Sequence, residues 1–505
     1  MIVLIKINHP DYTYHPPLGL LYVANALIKS GFDVKIFHIP ANNVSDYVQK
    51  IVELRPMFVG FSVFTGEAMR SYAWLCRKIK SLSDVPIVWG NAHPSLMPEQ
   101  CLKEDYIDIV VIGEGEITAV ELAKSLKTGI PELKDIKGIG FKDDNGNVVI
   151  NEARPFLENL DEYKPEWDLL DVEYYIRPYY KDGKRTIPIS TSRGCPYNCG
   201  FCYNKKFNKC KWRAHSASYV TSLVKELREK YSIDSIIITD DNFFVDKERA
   251  FKILEEIDLP YYCETKSAYF DEKFGESLHK TKCRAVLLGM ESGSDRVLKF
   301  INKKSTVNDN IKAVRSVSRY PEITISGSFI VAFPTETEEE CKQSMELIVR
   351  LLEIKKEMNF TLGYYLPYPG SSLYELVKEK GFIPPARTED WEDIDRWASK
   401  TRITWVDWIT SEKAVTLRSA VFLLRDSYQS SSKFSLVRNY IKKQVISLNV
   451  ESFGMRLLLE MRKSSGKGKY RLFISSLRRI YHIPPIFKLI DLLKNMLIER
   501  TLMQK

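Results

Sequence analysis

The chain has 505 residues, of which 44% are hydrophobic and 28% are charged, and its formal net charge is +9. These proportions are ordinary for a folded protein, and the length allows several domains, each with its own core. No apolar stretch reaches the ~20 residues that a membrane-spanning helix requires, and the first residues lack the flanks of a signal peptide. The sequence therefore predicts a cytoplasmic protein without a segment that spans a membrane.

The positive charge is concentrated at the C-terminal end. From residue 431 onward the chain has 16 Lys and Arg against 4 Asp and Glu, a net of +12, so the first 430 residues carry −3. The stretch 470–494 is basic and amphipathic, as in helices that lie on anionic membrane surfaces. Two interpretations stay open: a helix packed on the protein, and a peripheral membrane contact. We expect no nucleic-acid partner, because no recognition motif accompanies the charge.

Residues 1–130 alternate strand-like and helix-like segments. This alternation predicts a parallel, doubly wound α/β sheet, and such sheets bind ligands at the carboxyl ends of their strands. The predicted strands are Val3–Ile7, Asp33–Phe37, Met57–Ser62, Pro86–Trp89 and Ile109–Ile112. The predicted helices are Leu18–Lys29, Val44–Arg55, Glu67–Lys80 and one that follows Gly113–Glu116.

Small and polar residues follow the third, fourth and fifth of these strands. The segments are Ser62–Gly66, Gly90–Pro94 and Gly113–Glu116. Glycine at such turns lets a bulky ligand approach the backbone closely. A tight turn explains each segment taken alone, but three of them on successive strands predict a ligand site.

Residues 131–185 are predicted to be a connector, with a hairpin tip at Asp143–Asn147 and an irregular stretch at Tyr163–Tyr180. A second strand–helix series begins at Ile187, and its six strands predict a partial (β/α)6 barrel over residues 186–385. Residues 386–505 are predicted to be a mainly α-helical C-terminal region. The six strands are Ile187–Thr191, Ser235–Thr239, Pro260–Thr265, Ala285–Met290, Thr324–Ala332 and Phe360–Leu366.

Three of the nine cysteines, Cys195, Cys199 and Cys202, lie on one loop directly after a predicted strand. Three thiolates so close can hold three irons of a [4Fe–4S] cubane and leave the fourth iron open to a ligand. The alternative is a structural zinc site, which normally needs four protein ligands. Only Cys210 and His215 are near enough in sequence to supply the fourth. The remaining cysteines are interpreted as buried apolar residues.

The cysteine loop resembles that of the radical S-adenosylmethionine (SAM) superfamily, in which CxxxCxxC with an aromatic residue before the third cysteine is specific. The resemblance covers about residues 187–385 and implies that the three cysteines hold a [4Fe–4S] cluster that binds SAM. Further matching stretches are Lys211–Ser216, Ile238–Phe243, Leu288–Ser294, Ser328–Pro334 and Tyr368–Ser371. The residues implied to contact SAM are Tyr203, Asp240, Asp241, Glu291, Ser292, Ser328 and Leu366. For Asp240 and Asp241, the alternative is a helix N-cap.

The first 130 residues resemble the cobalamin-binding domain that precedes the barrel in one class of radical SAM enzymes. The matching stretches are Pro16–Tyr22, Val59–Ser62, Gly90–Pro94 and Val111–Glu116. The motif Asp-x-His-x-x-Gly, which supplies a lower histidine ligand in other cobalamin domains, is not found in this chain, and Asn91 stands where a glycine is usual. The residues implied to contact cobalamin are Leu18, Gly19, Ser62, Phe64, Thr65, Gly90, Asn91, His93, Gly113, Glu114, Gly115 and Glu116.

The two resemblances together imply an enzyme related to the radical SAM methyltransferases and cyclases that bind cobalamin. One SAM molecule would methylate the cobalamin, and a second would yield a 5′-deoxyadenosyl radical that takes hydrogen from an unactivated carbon. The implied partners are a small-molecule, natural-product or lipid substrate and an external electron donor of the flavodoxin or ferredoxin type. Two alternatives stay open: cyclisation, rearrangement or oxidation on the same scaffold, and a non-catalytic iron–sulfur or cobalamin-binding sensor.

Overall fold

The computed structural model describes residues 1–9, 14–66, 68–178, 184–394, 402–429, 435–452, 455–456 and 459. The described chain forms two compact units: residues 1–264 with 366–401, and residues 265–365 with 402 onward. The predicted domain boundaries after residues 130, 185 and 385 stay predictions. The predicted basic amphipathic stretch 470–494 lies outside the described residues. In the described part of the chain, no helix has the length and apolar character needed to span a bilayer.

The first unit contains a seven-stranded sheet whose first five strands are parallel, which confirms the parallel sheet predicted for residues 1–130. The strand Ile2–Asn8 is buried along its whole length, because a parallel sheet is covered on both faces. The strand order is β2-β1-β3-β4-β5-β6-β7. The strands are β1 (Ile2–Asn8), β2 (Val34–Pro40), β3 (Val59–Ser62), β4 (Ile87–Gly90), β5 (Ile109–Val111), β6 (Ile139–Lys142) and β7 (Val148–Ile150).

The predicted connector hairpin is present, and it extends this sheet. β6 pairs antiparallel with β5, and β7 pairs antiparallel with β6, so the sheet as a whole is mixed. The short turn between β6 and β7 cannot provide the long crossover that parallel neighbours need, so these two strands are antiparallel to each other. In the turn, Asp143 Oδ1 accepts the N–H groups of Asn145 (2.9 Å) and Asn147 (2.8 Å), and Gly146 adopts a φ of 79°.

Helices connect the parallel strands, and two of them begin later than predicted. The first turn of the predicted helix Val44–Arg55 belongs to a 3-10 helix, Ala41–Tyr47, because its short polar side chains compete for backbone hydrogen bonds. The third helix starts at Met69, after Ala68 in a left-handed conformation. The helices are α1 (Leu18–Lys29), α2 (Val48–Glu53), α3 (Met69–Lys80), α4 (Ala92–Leu96), α5 (Pro98–Lys103) and α6 (Glu116–Thr128).

Tyr72 of α3 ties the carboxyl end of β1 to that of β3. Its buried hydroxyl accepts the N–H of Ile7 (2.8 Å) and lies 2.8 Å from the carbonyl oxygen of Ser62. The chain reverses its winding direction between these two strands, and open α/β sheets bind ligands at such a switch point. The sheet therefore places its candidate ligand edge where the sequence predicts it.

The first unit also contains three parallel strands of the second series, with β11 between β8 and β12. Two-residue strands pair antiparallel on either side of the cysteine loop. The strands are β8 (Thr186–Ile189), β9 (Ser192–Arg193), β10 (Arg213–Ala214), β11 (Ser235–Ile238) and β12 (Tyr261–Thr265). The helices are α7 (Asn204–Phe207), α8 (Ala217–Tyr231) and α9 (Lys247–Ile257).

The second unit holds the other three predicted strands, again parallel, so all six strands of the predicted barrel series are present. They are β13 (Cys283–Glu291), β14 (Thr324–Val331) and β15 (Asn359–Tyr364). The helices are α10 (Glu272–Lys280), α11 (Asp295–Phe300), α12 (Val307–Val317) and α13 (Glu338–Ile354), then α14 (Leu373–Glu379) in the first unit, and α15 (Ser411–Gln429) and α16 (Ser435–Ile446) in the second. The described C-terminal region is thus helical, as predicted.

Candidate functional site

A cavity of about 340 Å³ opens at the carboxyl ends of β3, β4 and β5. Its volume is within the range of roughly 300–1,000 Å³ that is typical of ligand pockets. Ten of the twelve residues predicted to contact cobalamin line it: Leu18, Gly19, Ser62, Phe64, Gly90, Asn91, Gly113, Glu114, Gly115 and Glu116. A Cβ atom added at Gly19 or Gly113 would meet no atom within 4 Å, so the backbone leaves room for a large group there.

The other two predicted cobalamin contacts, Thr65 and His93, do not line this cavity. His93 is fully buried, its Nδ1 lies 3.0 Å from Thr65 Oγ1, and its ring packs edge-on against Trp391. Burial lowers the pKa of His93 to about 3, so the ring is neutral. The segment after β4 thus turns this side chain into the protein interior rather than toward the cavity.

In the same segment, Asn91 occupies the position at which a glycine is usual, and it takes a glycine-like backbone conformation. Its backbone has φ 83° and ψ −160°, a region that essentially only glycine adopts. The side chain compensates for the strain by donating to Ser62 Oγ (2.8 Å) and accepting the N–H of Ala92 (2.6 Å). Ser95 Oγ in turn donates to the Asn91 carbonyl (2.6 Å) and accepts the N–H of Gly113 (2.9 Å). These hydrogen bonds join the ends of β3, β4 and β5 into one cavity floor.

Another wall of the cavity is formed by the cysteine loop and the end of β11. Two of the predicted SAM contacts, Tyr203 and Asp241, are in this wall, together with Gly194, which directly precedes Cys195. The remaining residues of the wall on this side are Ser190, Ser192, Arg193, Phe207, Asn208 and Thr239. The predicted cobalamin edge and the predicted cluster loop therefore share one cavity.

Two arginines that the sequence analysis did not identify connect these walls. Arg193 donates to Glu114 (2.8 Å) and Glu116 (2.6 Å), and Arg213 donates to both carboxylate oxygens of Glu114 (2.9 Å each). Burial alone would lower the pKa of Arg193, but the carboxylates of Glu116 and Glu114 raise it overall. Glu114 and Glu116 thus line the cavity as ion-pair partners. The sequence signal for these ion pairs is the presence of two acidic residues after β5 and of one arginine on each side of the cysteine loop.

The cysteine loop is held in shape by protein groups. Asn204, which is buried, donates from Nδ2 to the carbonyl oxygens of Cys195 (2.6 Å) and Tyr197 (2.9 Å). Gly194 has a φ of 78°, and a Cβ atom there would lie 2.3 Å from the carbonyl oxygen of Lys211. Asn204 is a third residue that the sequence analysis missed, because an asparagine after the third cysteine gives no chemical signal by itself.

Cys195, Cys199 and Cys202 are partly exposed thiols, and burial raises the pKa of Cys202 to about 12. Among the described residues, no three Cys, His, Asp or Glu side chains converge as the ligands of a single metal ion do. Cysteines that hold a cubane cluster each bind a different iron, so their sulfur atoms need not converge on one point. The thiolate is the iron-binding form, so cluster binding must displace the thiol protons.

Asp240 and Asp241 have different surroundings. The buried carboxylate of Asp240 accepts the N–H (2.6 Å) and hydroxyl (2.6 Å) of Thr191 and the hydroxyl of Ser192 (2.5 Å). Asp241 accepts the N–H of Gly194, and burial raises its pKa. The N-cap alternative is wrong for both, because the N-cap of α9 is Asp246. Asp240 thus fixes the strand that leads into the cysteine loop, and Asp241 faces the cavity.

Three predicted SAM contacts belong to the second unit. Glu291 ends β13 with a φ of 61°, and its carboxylate accepts from Lys303 Nζ (2.6 Å). Ser292 is fully buried, with its hydroxyl 3.3 Å from that of Ser344, whereas Ser328 is partly exposed on β14. Leu366 follows β15 in the first unit. None of these four residues lines the described cavity, and their contact with SAM stays a prediction.

The fold and the cysteine loop define a class of protein, and the chain is similar to known families in both regions. The B12 binding domain family matches residues 7–123, and the Radical SAM superfamily matches residues 189–348. This chain belongs to the radical SAM enzymes that carry an N-terminal B12-binding domain. The predicted fold class, enzyme class and cofactors (a [4Fe–4S] cluster, SAM and cobalamin) are confirmed.

Individual relatives include a methyltransferase and a cyclase. An uncharacterized methyltransferase of Pyrococcus horikoshii is 33% identical over 83% of this chain and 88% of its own. The anaerobic magnesium-protoporphyrin IX monomethyl ester cyclase of Rubrivivax gelatinosus is 27% identical over 72% of this chain and 67% of its own. The structure of OxsB, a cobalamin-dependent SAM radical enzyme with aqua-cobalamin and SAM bound, has a TM-score of 0.65 at 18% identity, covering 100% of this chain and 79% of that one.

Proposed function

We propose that this enzyme transfers a methyl group from SAM, by way of cobalamin, to an unactivated carbon of a small-molecule, natural-product or lipid substrate. The observation that carries the proposal is the shared cavity, whose walls come from the strand ends of the first sheet and from the cysteine loop. Placing two reactive groups in one cavity replaces a bimolecular encounter with a positioned reaction, which is the main contribution a protein makes to cofactor chemistry.

On this proposal, Cys195, Cys199 and Cys202 hold the cluster. Asn204 and Asp240 act as positioning residues, because they bind the backbone on either side of the first cysteine. When bound, the cluster and SAM supply an electron and a carbon-centred radical to the cavity. Tyr203 and Asp241 are proposed to face SAM from the cavity wall, where a carboxylate can accept charge-assisted hydrogen bonds.

The cobalamin is proposed to lie against the floor built by Ser62, Asn91 and Gly113, with the open backbone at Gly19 beside it. When bound, it supplies the transferable methyl group. Many of the side chains that line the cavity are apolar, among them Leu18. The ion pairs of Arg193 keep the floor and the cysteine loop at a fixed separation.

The test uses the full chain, reconstituted anaerobically with iron, sulfide and cobalamin and incubated with reductant, candidate substrates and SAM that carries a labelled methyl group. We expect 5′-deoxyadenosine, S-adenosylhomocysteine and a labelled product. Cys199→Ala should lose the cluster absorption and reduce 5′-deoxyadenosine at least about 100-fold, since a cluster ligand is removed. Cys210→Ala is the matched control, because Cys210 is also partly exposed but lies outside the three-cysteine motif. Equal activity of Cys199→Ala and the unaltered chain would contradict the proposal.

A second candidate function is radical cyclisation or oxidation, which the similarity to the magnesium-protoporphyrin ester cyclase favours. The two candidates differ in the fate of the methyl label. A cyclase consumes SAM to 5′-deoxyadenosine and methionine without moving the label into product, whereas a methyltransferase transfers it.

A further inference from the structure

Lysines are concentrated on the surface directly after the cysteine loop. Lys205, Lys206, Lys209 and Lys211, here called the lysine patch, are all exposed and follow Cys202 by three to nine residues. The sequence contains no Asp or Glu between positions 182 and 226. The first 430 residues carry a net charge of −3, so this positive segment contrasts with the rest of that part of the chain.

Local geometry keeps these lysines together. Lys209 and Cys210 both have left-handed backbones, with φ of 52° and 53°, and the Lys211 N–H donates to the carbonyl of Asn208 (2.9 Å). The chain therefore reverses sharply within the patch. Lys206 Nζ donates to the carbonyl oxygen of Leu96 (3.2 Å), whereas Lys205 and Lys211 are exposed on the surface.

We infer that the lysine patch is the docking surface for a small acidic electron-transfer protein of the ferredoxin type. The inference rests on the proposed function, because reductive SAM cleavage needs one electron from outside for each radical formed. A reduced ferredoxin loses one electron and becomes oxidised, the cluster gains that electron and passes from the 2+ to the 1+ state, and no proton moves. A positive surface beside the cluster loop attracts and orients a negatively charged donor.

The first experiment measures binding without catalysis. An oxidised ferredoxin of net negative charge is mixed with the reconstituted full chain, and the association rate constant is measured at low and high salt. Lys205→Glu combined with Lys211→Glu should reduce this constant at least about 10-fold at 50 mM salt, because steering depends on local charge. The difference should shrink above about 0.3 M salt, where surface charges are screened.

The matched control is Lys124→Glu combined with Lys252→Glu. These lysines are also exposed, lie on α6 and α9, and give the same change in net charge. We expect their association rate constant to stay within about twofold of the unaltered chain, because steering acts locally. Equal losses in the two double variants would overturn the inference. If the patch variant folds poorly, Lys205→Gln combined with Lys211→Gln gives a smaller loss in the same direction.

The second experiment separates docking from chemistry. With reduced methyl viologen, a small cationic reductant that a positive surface does not attract, the patch variant should form 5′-deoxyadenosine at least as fast as the unaltered chain, whereas with reduced ferredoxin it should be slower. Absence of 5′-deoxyadenosine from the unaltered chain with methyl viologen would instead contradict the proposed function. Unchanged ferredoxin association together with weaker binding to anionic phosphatidylserine vesicles would overturn the docking inference and assign the patch to a membrane.

Discussion

At the scale of single residues, the cavity depends on backbone positions that few side chains could occupy. Asn91 adopts a glycine-like conformation, and two hydrogen bonds of its side chain offset the strain. Gly194 has no room for a Cβ atom. Gly19 is different, because the space beside it is open. Gly113 also has open space but a φ of +86°, whereas Gly19 is in α1, so a side chain at Gly19 can fill the cavity without backbone strain.

We predict that Gly19→Leu reduces cobalamin retention at least about 10-fold, because the side chain fills space that a ligand would occupy. Gly19→Ala is the control: it is tolerated in α1 and gains helix propensity of up to about 1 kcal/mol. The measurement is the cobalamin absorbance that remains after gel filtration, with iron content determined in parallel. Full retention of cobalamin by Gly19→Leu, with the fold intact, would show that cobalamin does not use this part of the cavity.

A second residue-scale feature is Glu336, which follows β14 in the second unit. It is 2% exposed, its Oε2 accepts the N–H of Phe333 (3.3 Å), and its Oε1 has no hydrogen-bond partner in the described part of the chain. Burial raises the pKa of Glu336 to about 8, because desolvation of the carboxylate outweighs the backbone hydrogen bonds and the charge of Arg296 that favour its ionised form.

This raised pKa predicts a pH-dependent stability. The folded state binds the proton of Glu336 more tightly than the unfolded chain does. The stabilisation that this proton gives to the folded state is therefore complete below about pH 4 and is lost as the pH rises toward 8. The loss reaches at most about 1.4 kcal/mol per pH unit. Glu336→Gln should flatten the dependence of Tm on pH between about 5 and 8. Glu339→Gln, at an exposed position, should not, and identical profiles for all three proteins would refute the assignment.

At the scale of elements, ion pairs connect the loop after β5 to the strand before the cysteines. Arg193 of β9 is the ion-pair partner of Glu116, which is 3% exposed, while Glu114 is also paired with Arg213. Loss of Arg193 leaves the Glu116 carboxylate buried without its cation, and uncompensated buried charges are far more costly than exposed ones.

We predict that Arg193→Gln destabilises the folded chain by about 3–5 kcal/mol. Adding Glu116→Gln should recover part of this loss, because the unpaired charge is then removed. Lys230→Gln, which breaks the exposed pair with Asp168, should cost less than about 1 kcal/mol. Denaturant titration measures the free energy of unfolding of all three variants. Equal losses for Arg193→Gln and Lys230→Gln would show that the ion pairs of Arg193 are unimportant for stability.

The element scale also shows what the sequence could predict. The strand-end segments were identifiable because parallel strands bring their carboxyl ends to one edge, and ten of the twelve residues chosen in this way line the cavity. Thr65 and His93 lie in the same segments, but position in a turn does not determine on which side of the backbone a side chain projects. The partners of Arg193 were not predictable, since Glu114 is 79 residues away in sequence.

At the scale of the whole molecule, strand–helix alternation predicted the parallel strands of both series, and periodicity located most of their ends within one to three residues. The strand order was not predictable from alternation, and neither was the addition of the connector hairpin to the first sheet. Pairing between distant strands depends on tertiary packing, which local patterns do not encode. The cavity could not be predicted from local patterns for the same reason, because the residues that line it are spread along the sequence from Leu4 to Asp241.

The bonds that shape the cysteine loop determine which groups are left for the cluster. Asn204 binds the loop from within, Asp240 holds the strand before it, and the Leu373 N–H donates to the carbonyl of Gly200 (2.9 Å). These bonds use backbone groups and the side chains of Asn204 and Asp240, and none of them uses a cysteine sulfur. A substitution of Asn204 or Asp240 should therefore keep all three ligands but hold them less precisely.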